Sequence, residues 1–285
     1  MTHAVLLLGP HAPDALARAV RNLPLSPIAL GAQAAEVRLP QEQASRLAAA
    51  LGQARGFDVA TVSLEGREKK LLVCDMDATI IAEESLDELA EVVGLKKEIS
   101  KLTEKAMRGE IGFEEALRVR VGLLKGLDVA AAAAALKPRI TPNPGAEVLV
   151  RTMEARGAGT ALLTGGFDII AASVAERLGF RDMYCNRLQS VDGVLTGEVG
   201  EPIFGREGKE ERLRALADAS GITIEDVICV GDGANDLGMI RAAGLGVGYR
   251  PKPLLEAEAD VVLRHADLTA LLSIQGIAEE EWVTN

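Results

Sequence analysis

The chain has 285 residues, 48% of them hydrophobic but only 3% aromatic, and a formal charge of −11. That length allows about two domains, or one domain with a large insertion, around a core of aliphatic side chains and alanine. The acidic balance excludes a general nucleic-acid binder, which needs a basic face for phosphates.

In chain order, Ala4–Leu8 reads as a strand, Pro13–Asn22 as a helix and Pro27–Ala32 and Ala35–Leu39 as strands. Gln41–Arg55 follows as a helix and Phe57–Ser63 as a strand. This β-α-β-β-α-β rhythm predicts a small α+β module over residues 1–67. It resembles an ACT-like regulatory fold in rhythm alone. The module could bind an amino acid, pair two subunits as a homodimer, or only pack against the rest. The charged run Glu65–Lys70 marks its boundary. Leu71–Cys74 is a short buried strand, and Glu83–Lys137 is almost wholly helical. That block is too long for a crossover loop and predicts an inserted helical cap over 83–139.

After Pro142 and Pro144 strands and helices alternate again. Helices are expected over Ala146–Arg156, Phe167–Leu178, Gly208–Ala219 and Asp236–Ala243. Strands are expected over Gly159–Leu163, Asn186–Ser190, Val194–Val199, Asp226–Val230, Gly244–Val247 and Ala259–Leu263. The fold class is therefore α/β. Residues 68–82 and 140–285 form a core with a parallel sheet, whose ligands sit beyond the carboxyl ends of the strands. The cysteines Cys74, Cys185 and Cys229 show no metal or disulfide spacing. Neither a signal peptide nor a bilayer-spanning run is evident, so a cytoplasmic protein without membrane contact is expected.

Three strands end in polar sequence. The first gives Asp75-x-Asp77-x-Thr79, the second Thr164-Gly165-Gly166, and the third Gly231-Asp232-Gly233-x-Asn235-Asp236. A carboxylate at a buried strand end is costly without a cation or donors. Asp75 could attack phosphorus, and Asp77, two residues on, could serve as general acid and base. An Asx turn capping the next helix is the plainer alternative for that run. Thr164 and the Gly165 N–H can hold an anion, although a glycine pair there is more often only a tight turn. Asp232 and Asp236 offer hard oxygens for a cation such as magnesium, or else belong to a surface turn. Lys209 at a helix start opposes the macrodipole and asks for an anionic partner. Taken together, nucleophile, acid, anion donors, ammonium and metal carboxylates fit phosphoryl transfer, which needs mainly positioning and charge neutralisation.

In this order the motifs resemble those of the haloacid-dehalogenase superfamily of phosphohydrolases, and residues 70 to 275 resemble its phosphoserine phosphatases. The cap carries the narrower signal, with Glu84, Met107-x-Gly109-x-Ile111-x-Phe113 and Arg118-Val119-Arg120. The resemblance implies a Rossmann-like core and a Mg²⁺-dependent hydrolase that converts O-phosphoserine to serine and phosphate, the last step of serine biosynthesis, through an aspartyl phosphate. It implies Mg²⁺ on Asp75, the Asp77 carbonyl and Asp232, supported by Asp236. Thr164, Gly165, Lys209 and Asn235 would bind phosphate. Glu84 would meet the substrate ammonium, Arg120 its carboxylate, and Met107 and Phe113 would exclude water. Ala78 and Thr164 stand where these phosphatases usually carry serine. Rival readings are a phosphatase or phosphotransferase for another small metabolite, and a non-catalytic amino-acid sensor or phospho-receiver.

Overall fold

The computed structural model describes residues 1–52, 55–95, 99 and 112–284. Near its start the chain forms β1 (His3–Leu8), α1 (Ala12–Val20), β2 (Ile28–Gly31), β3 (Ala34–Leu39), α2 (Gln41–Leu51) and β4 (Asp58–Ser63). The strands make an antiparallel sheet in the order β2-β3-β1-β4. Successive side chains of a strand point to opposite faces, and both faces of β1 are covered. Val5 and Leu7 pack with Leu16 and Val20 of α1, whereas Ala4, Leu6 and Leu8 join the apolar cluster of the larger sheet.

Polar groups also fasten the two parts. The Asp58 carboxylate accepts from the backbone N–H groups of Arg264 (3.0 Å), His265 (2.8 Å) and Ala266 (2.9 Å). Arg67, from the charged run expected to be a boundary, is buried. It pairs with the fully buried Glu36 (2.6 Å) and donates to the carbonyls of Ile274 (2.5 Å) and Ser273 (3.0 Å).

The larger sheet is parallel, in the order β12-β11-β10-β5-β6-β7. Its strands are β5 (Leu71–Cys74), β6 (Gly159–Phe167), β7 (Asp182–Asn186), β10 (Val227–Gly231), β11 (Leu245–Tyr249) and β12 (Val261–Leu263), with a hairpin, β8 (Leu188–Val191) and β9 (Val194–Val199), intervening. β5 and β10 are buried at every position, as strands covered on both faces must be. Between β5 and β6 lie helices α3 (Ser85–Val92), α4 (Phe113–Gly122) and α5 (Val129–Leu136). The β8–β9 hairpin supports them, with Gly126 N–H donating to Leu195 O and Leu195 N–H to Leu127 O.

Leu72, Cys74 and Leu162 face α6 (Ala146–Ala155) and α7 (Asp168–Leu178). Leu71, Val73 and Leu163 face α8 (Arg206–Ala219) and α9 (Leu237–Ala242). The short α10 (Pro253–Glu256) and α11 (Ala270–Ile274) complete the cover. From β5 the chain proceeds to β6 and β7 on one side and later to β10, β11 and β12 on the other. The carboxyl end of β5 is therefore the switch point, where such sheets open a crevice for ligands.

Among the described residues, two differences from expectation bear on the site. The strand expected over Asn186–Ser190 is divided, with Asn186 ending β7 and Leu188 starting β8. β6 does not stop at Leu163 but continues through the Thr-Gly-Gly run to Phe167.

Candidate active site

Asp75 leaves the end of β5 with its N–H on the Val230 carbonyl of neighbouring β10 (3.0 Å). Its carboxylate is 2% exposed. Lys209 reaches it from the first turn of α8, where Lys209, Leu213 and Ala217 form the buried stripe at four-residue spacing. The ammonium lies 2.5 Å from Asp75 Oδ1 and 2.7 Å from Asp236 Oδ1. Burial opposes the charge on Lys209, but Asp236 and Asp75 outweigh it and hold the ammonium above the ordinary lysine range. Burial, reinforced by Asp236, lifts Asp75 well above the usual carboxylate range, against the pull of Lys209.

Asp236 is an organiser. Its Oδ2 accepts from the N–H groups of Asp232 (3.2 Å) and Gly233 (3.1 Å), and Asn235 donates to its Oδ1 (3.3 Å). A Cβ on Gly231 would come within 2.6 Å of this carboxylate, so the strand end needs a glycine there. Ligand oxygens of Asp75, Asp232 and Asp236 lie within 4.8 Å of one another. Such a buried, all-carboxylate set fits a hard divalent cation. The Asp77 side chain lies outside this set. Its Oδ1 accepts from Ser85 N–H (3.0 Å), and burial pushes its pKa up to about 7 against that hydrogen bond.

One cavity of about 570 Å³ is lined by Asp75, Asp77, Thr164, Gly165, Lys209 and Asp232, and also by Asn235, Glu84 and Arg120. Thr164 is fully buried, and its Oγ1 accepts from Gly166 N–H (2.8 Å), so the hydroxyl proton remains to donate elsewhere. Arg120 is half-buried and forms no ion pair among the described residues; its Nε–H donates to Ala116 O (3.2 Å). Burial lowers its pKa, while Asp87 and Glu84 pull it upwards. Burial raises Glu84. Of the remaining expected site residues, Met107 lies outside the described residues, and Phe113 is described only as the first backbone position of α4.

Several participants were not singled out from sequence. Lys252 sits 3.0 Å from Asp232 Oδ2 and 3.6 Å from Glu84 Oε1, bridging the loop after β10 to the start of α3. Its signal in the sequence is a lysine set between Pro251 and Pro253. Asn143 fastens the turn after Asp75, donating through Nδ2 to the carbonyls of Thr79 (2.8 Å) and Ile81 (3.1 Å). Within that turn Ala78 has φ 53°, in the left-handed region that costs an alanine about 1 kcal/mol. Ala78→Gly should therefore raise stability by about 1 kcal/mol in urea unfolding, and a loss of stability would show that the turn has no strain to relieve.

The model of the haloacid dehalogenase-like hydrolases matches residues 72–241. A phosphoserine phosphatase of Methanocaldococcus jannaschii is 40% identical over 206 residues, which span 72% of this chain and 97% of that one. One of Streptomyces coelicolor is 38% identical over 80% of this chain, which spans only 56% of that longer protein. In three dimensions the fold matches a HAD family hydrolase of Salmonella enterica serovar Typhi with a TM-score of 0.85 and 27% identity, over 96% of this chain and 98% of the other. Sequence and fold thus agree over more than the catalytic half, and the chain belongs to the haloacid dehalogenase-like hydrolase family.

Proposed function

We propose that this chain is a Mg²⁺-dependent phosphatase that hydrolyses O-phosphoserine to serine and inorganic phosphate. The observation that carries this reading is the pairing of two chemistries in one cavity. Asp75, Thr164, Gly165 and Lys209 suit a phosphoryl group, while Glu84 and Arg120, which has no ion pair among the described residues, suit the ammonium and carboxylate of a free amino acid. The names of the relatives from M. jannaschii and S. coelicolor support the same substrate.

Asp75 attacks phosphorus, and the bond from phosphorus to the serine oxygen breaks. The proton of Asp77 passes to that oxygen, in keeping with an acid that burial keeps protonated up to about pH 7. Water then attacks the aspartyl phosphate. Asp77 takes the water proton, and the bond from phosphorus to the Asp75 oxygen breaks. Lys209, Thr164, Asn235 and the Gly165 N–H hold the phosphoryl oxygens. Asp75, the Asp77 carbonyl and Asp232 would hold Mg²⁺, with Asp236 orienting the loop behind them. When bound, the ion neutralises charge on the phosphoryl group. Met107 and Phe113 would exclude water. On this reading residues 1–67 are an accessory module, 83–139 the cap, and the remainder the catalytic core of a cytoplasmic enzyme.

The test is phosphate release from O-phosphoserine with and without magnesium, followed by the Arg120→Ala variant. Loss of a charge-assisted carboxylate contact should raise KM for O-phosphoserine about 10- to 100-fold and leave an aryl phosphate nearly unaffected. Equal losses on both substrates would point to a different metabolite.

A further inference from the structure

The phosphate-side loop of this site is irregular, and its irregularity is held by a side chain with no assigned role. Along β6 and β7 the pairing runs Leu163 with Tyr184 and next Phe167 with Asn186. Thr164, Gly165 and Gly166 on β6 thus oppose Cys185 alone on β7, and the surplus backbone leaves the ladder as a bulge. A bulge of this kind leaves carbonyl and amide groups that need other partners.

Asn186 supplies them. It is 2% exposed, and its Nδ2 donates to the carbonyls of Gly165 (2.9 Å) and Phe204 (2.9 Å) while its Oδ1 accepts from Phe204 N–H (2.7 Å). Two donors and one acceptor are satisfied at once, which fixes the orientation of the amide. Phe204 immediately precedes Gly205, whose carbonyl accepts from Lys209 N–H (3.0 Å) at the start of α8. The same amide therefore joins the Thr-Gly-Gly bulge to the segment that launches Lys209. Gly165 and Gly205 both line the cavity, and a Cβ on Gly165 would lie 3.9 Å from the Phe204 carbonyl.

We propose that Asn186 is a positioning residue that sets the spacing between the Gly165 N–H and the Lys209 ammonium, and so tunes the site to a phosphoryl group. The inference rests on the phosphoryl-binding role given above to Thr164, Gly165 and Lys209. It does not depend on which alcohol carries the phosphate. An aspartate at this position keeps the shape and the acceptor for Phe204 N–H. It loses both donors and turns a charged oxygen towards two carbonyls. A serine retains at most one of the bonds.

The experiment compares wild type, Asn186→Asp and Asn186→Ser in the presence of magnesium. Inorganic phosphate binding is read by calorimetry, L-serine inhibition by steady-state kinetics, and Tm by a thermal scan. The expected result for both variants is phosphate affinity and kcat reduced about 10- to 100-fold, with the inhibition constant of L-serine unchanged. Lowered Tm with unaltered phosphate affinity would reduce Asn186 to a structural residue and overturn the inference, as would a wild type that binds no phosphate. The serine variant decides the matter if the aspartate variant does not fold. Turnover of an aryl phosphate without turnover of O-phosphoserine would remove the substrate reading, yet the phosphate-binding comparison would still decide the role of Asn186.

Discussion

Asp75→Asn should abolish turnover, by more than about 10⁴-fold, while the protein folds with undiminished stability. The amide is nearly isosteric but cannot form the acyl phosphate. Stability should hold because the carboxylate is held there at a cost: burial and Asp236 disfavour its charge, and only Lys209 favours it. Lys209 retains Asp236 at 2.7 Å in the variant, so one ammonium still faces one carboxylate. The measurements are phosphate release, acid-quenched transfer of radiolabelled phosphate to the protein, and a urea denaturation curve. Wild-type turnover by the variant would end the assignment of Asp75 as nucleophile. A large loss of stability would instead mean that its charge holds the site together.

Lys209→Met should have the largest effect on stability. Lys209 is completely buried between Asp75 and Asp236. Removing it strands two carboxylates without their cation, a class of change that costs about 3–5 kcal/mol. In the wild type the ammonium is held above the ordinary lysine range. Its contribution is therefore complete at every pH below about 10 and is lost only as pH rises through the folded-state value. The variant should behave in the opposite sense. Its deficit should be larger at pH 7 than at pH 5, because Asp75, already pushed upwards by burial, takes up a proton as pH falls. Urea unfolding in chelator at the two pH values checks this. A deficit that is the same at both would show that the carboxylates are not left charged.

The sequence was most legible where strands are buried on both faces. Leu71–Cys74 and Val227–Gly231 are continuous apolar runs that stop abruptly at Asp75 and Asp232, so both the sheet and its functional edge could be read from them. β7 was misplaced because Asp182-Met-Tyr-Cys-Asn186 is a half-buried edge strand with no apolar run to announce it. The extension of β6 was hidden because Thr164-Gly165-Gly166 looks locally like a turn, and only its pairing with β7 makes it a bulge. Asn186 and Asn143 carry no motif, since their roles come from partners distant in the chain. Arg67 belongs to a charged run that reads as a boundary, and its burial depends on Glu36 and on carbonyls near the C-terminus.

The small antiparallel sheet has one side under its own helices and the other pressed into the apolar cluster of the larger sheet. Neither broad side is available to a visitor. Among the described residues, the exposed approaches for a second copy of the chain, or a ligand, are edge-on along β2, where Ile28 is exposed, and across the outer surfaces of α1 and α2. Two copies meeting at β2 would extend one ribbon of strands from molecule to molecule and leave both cavities, which lie at the far sheet, unobstructed.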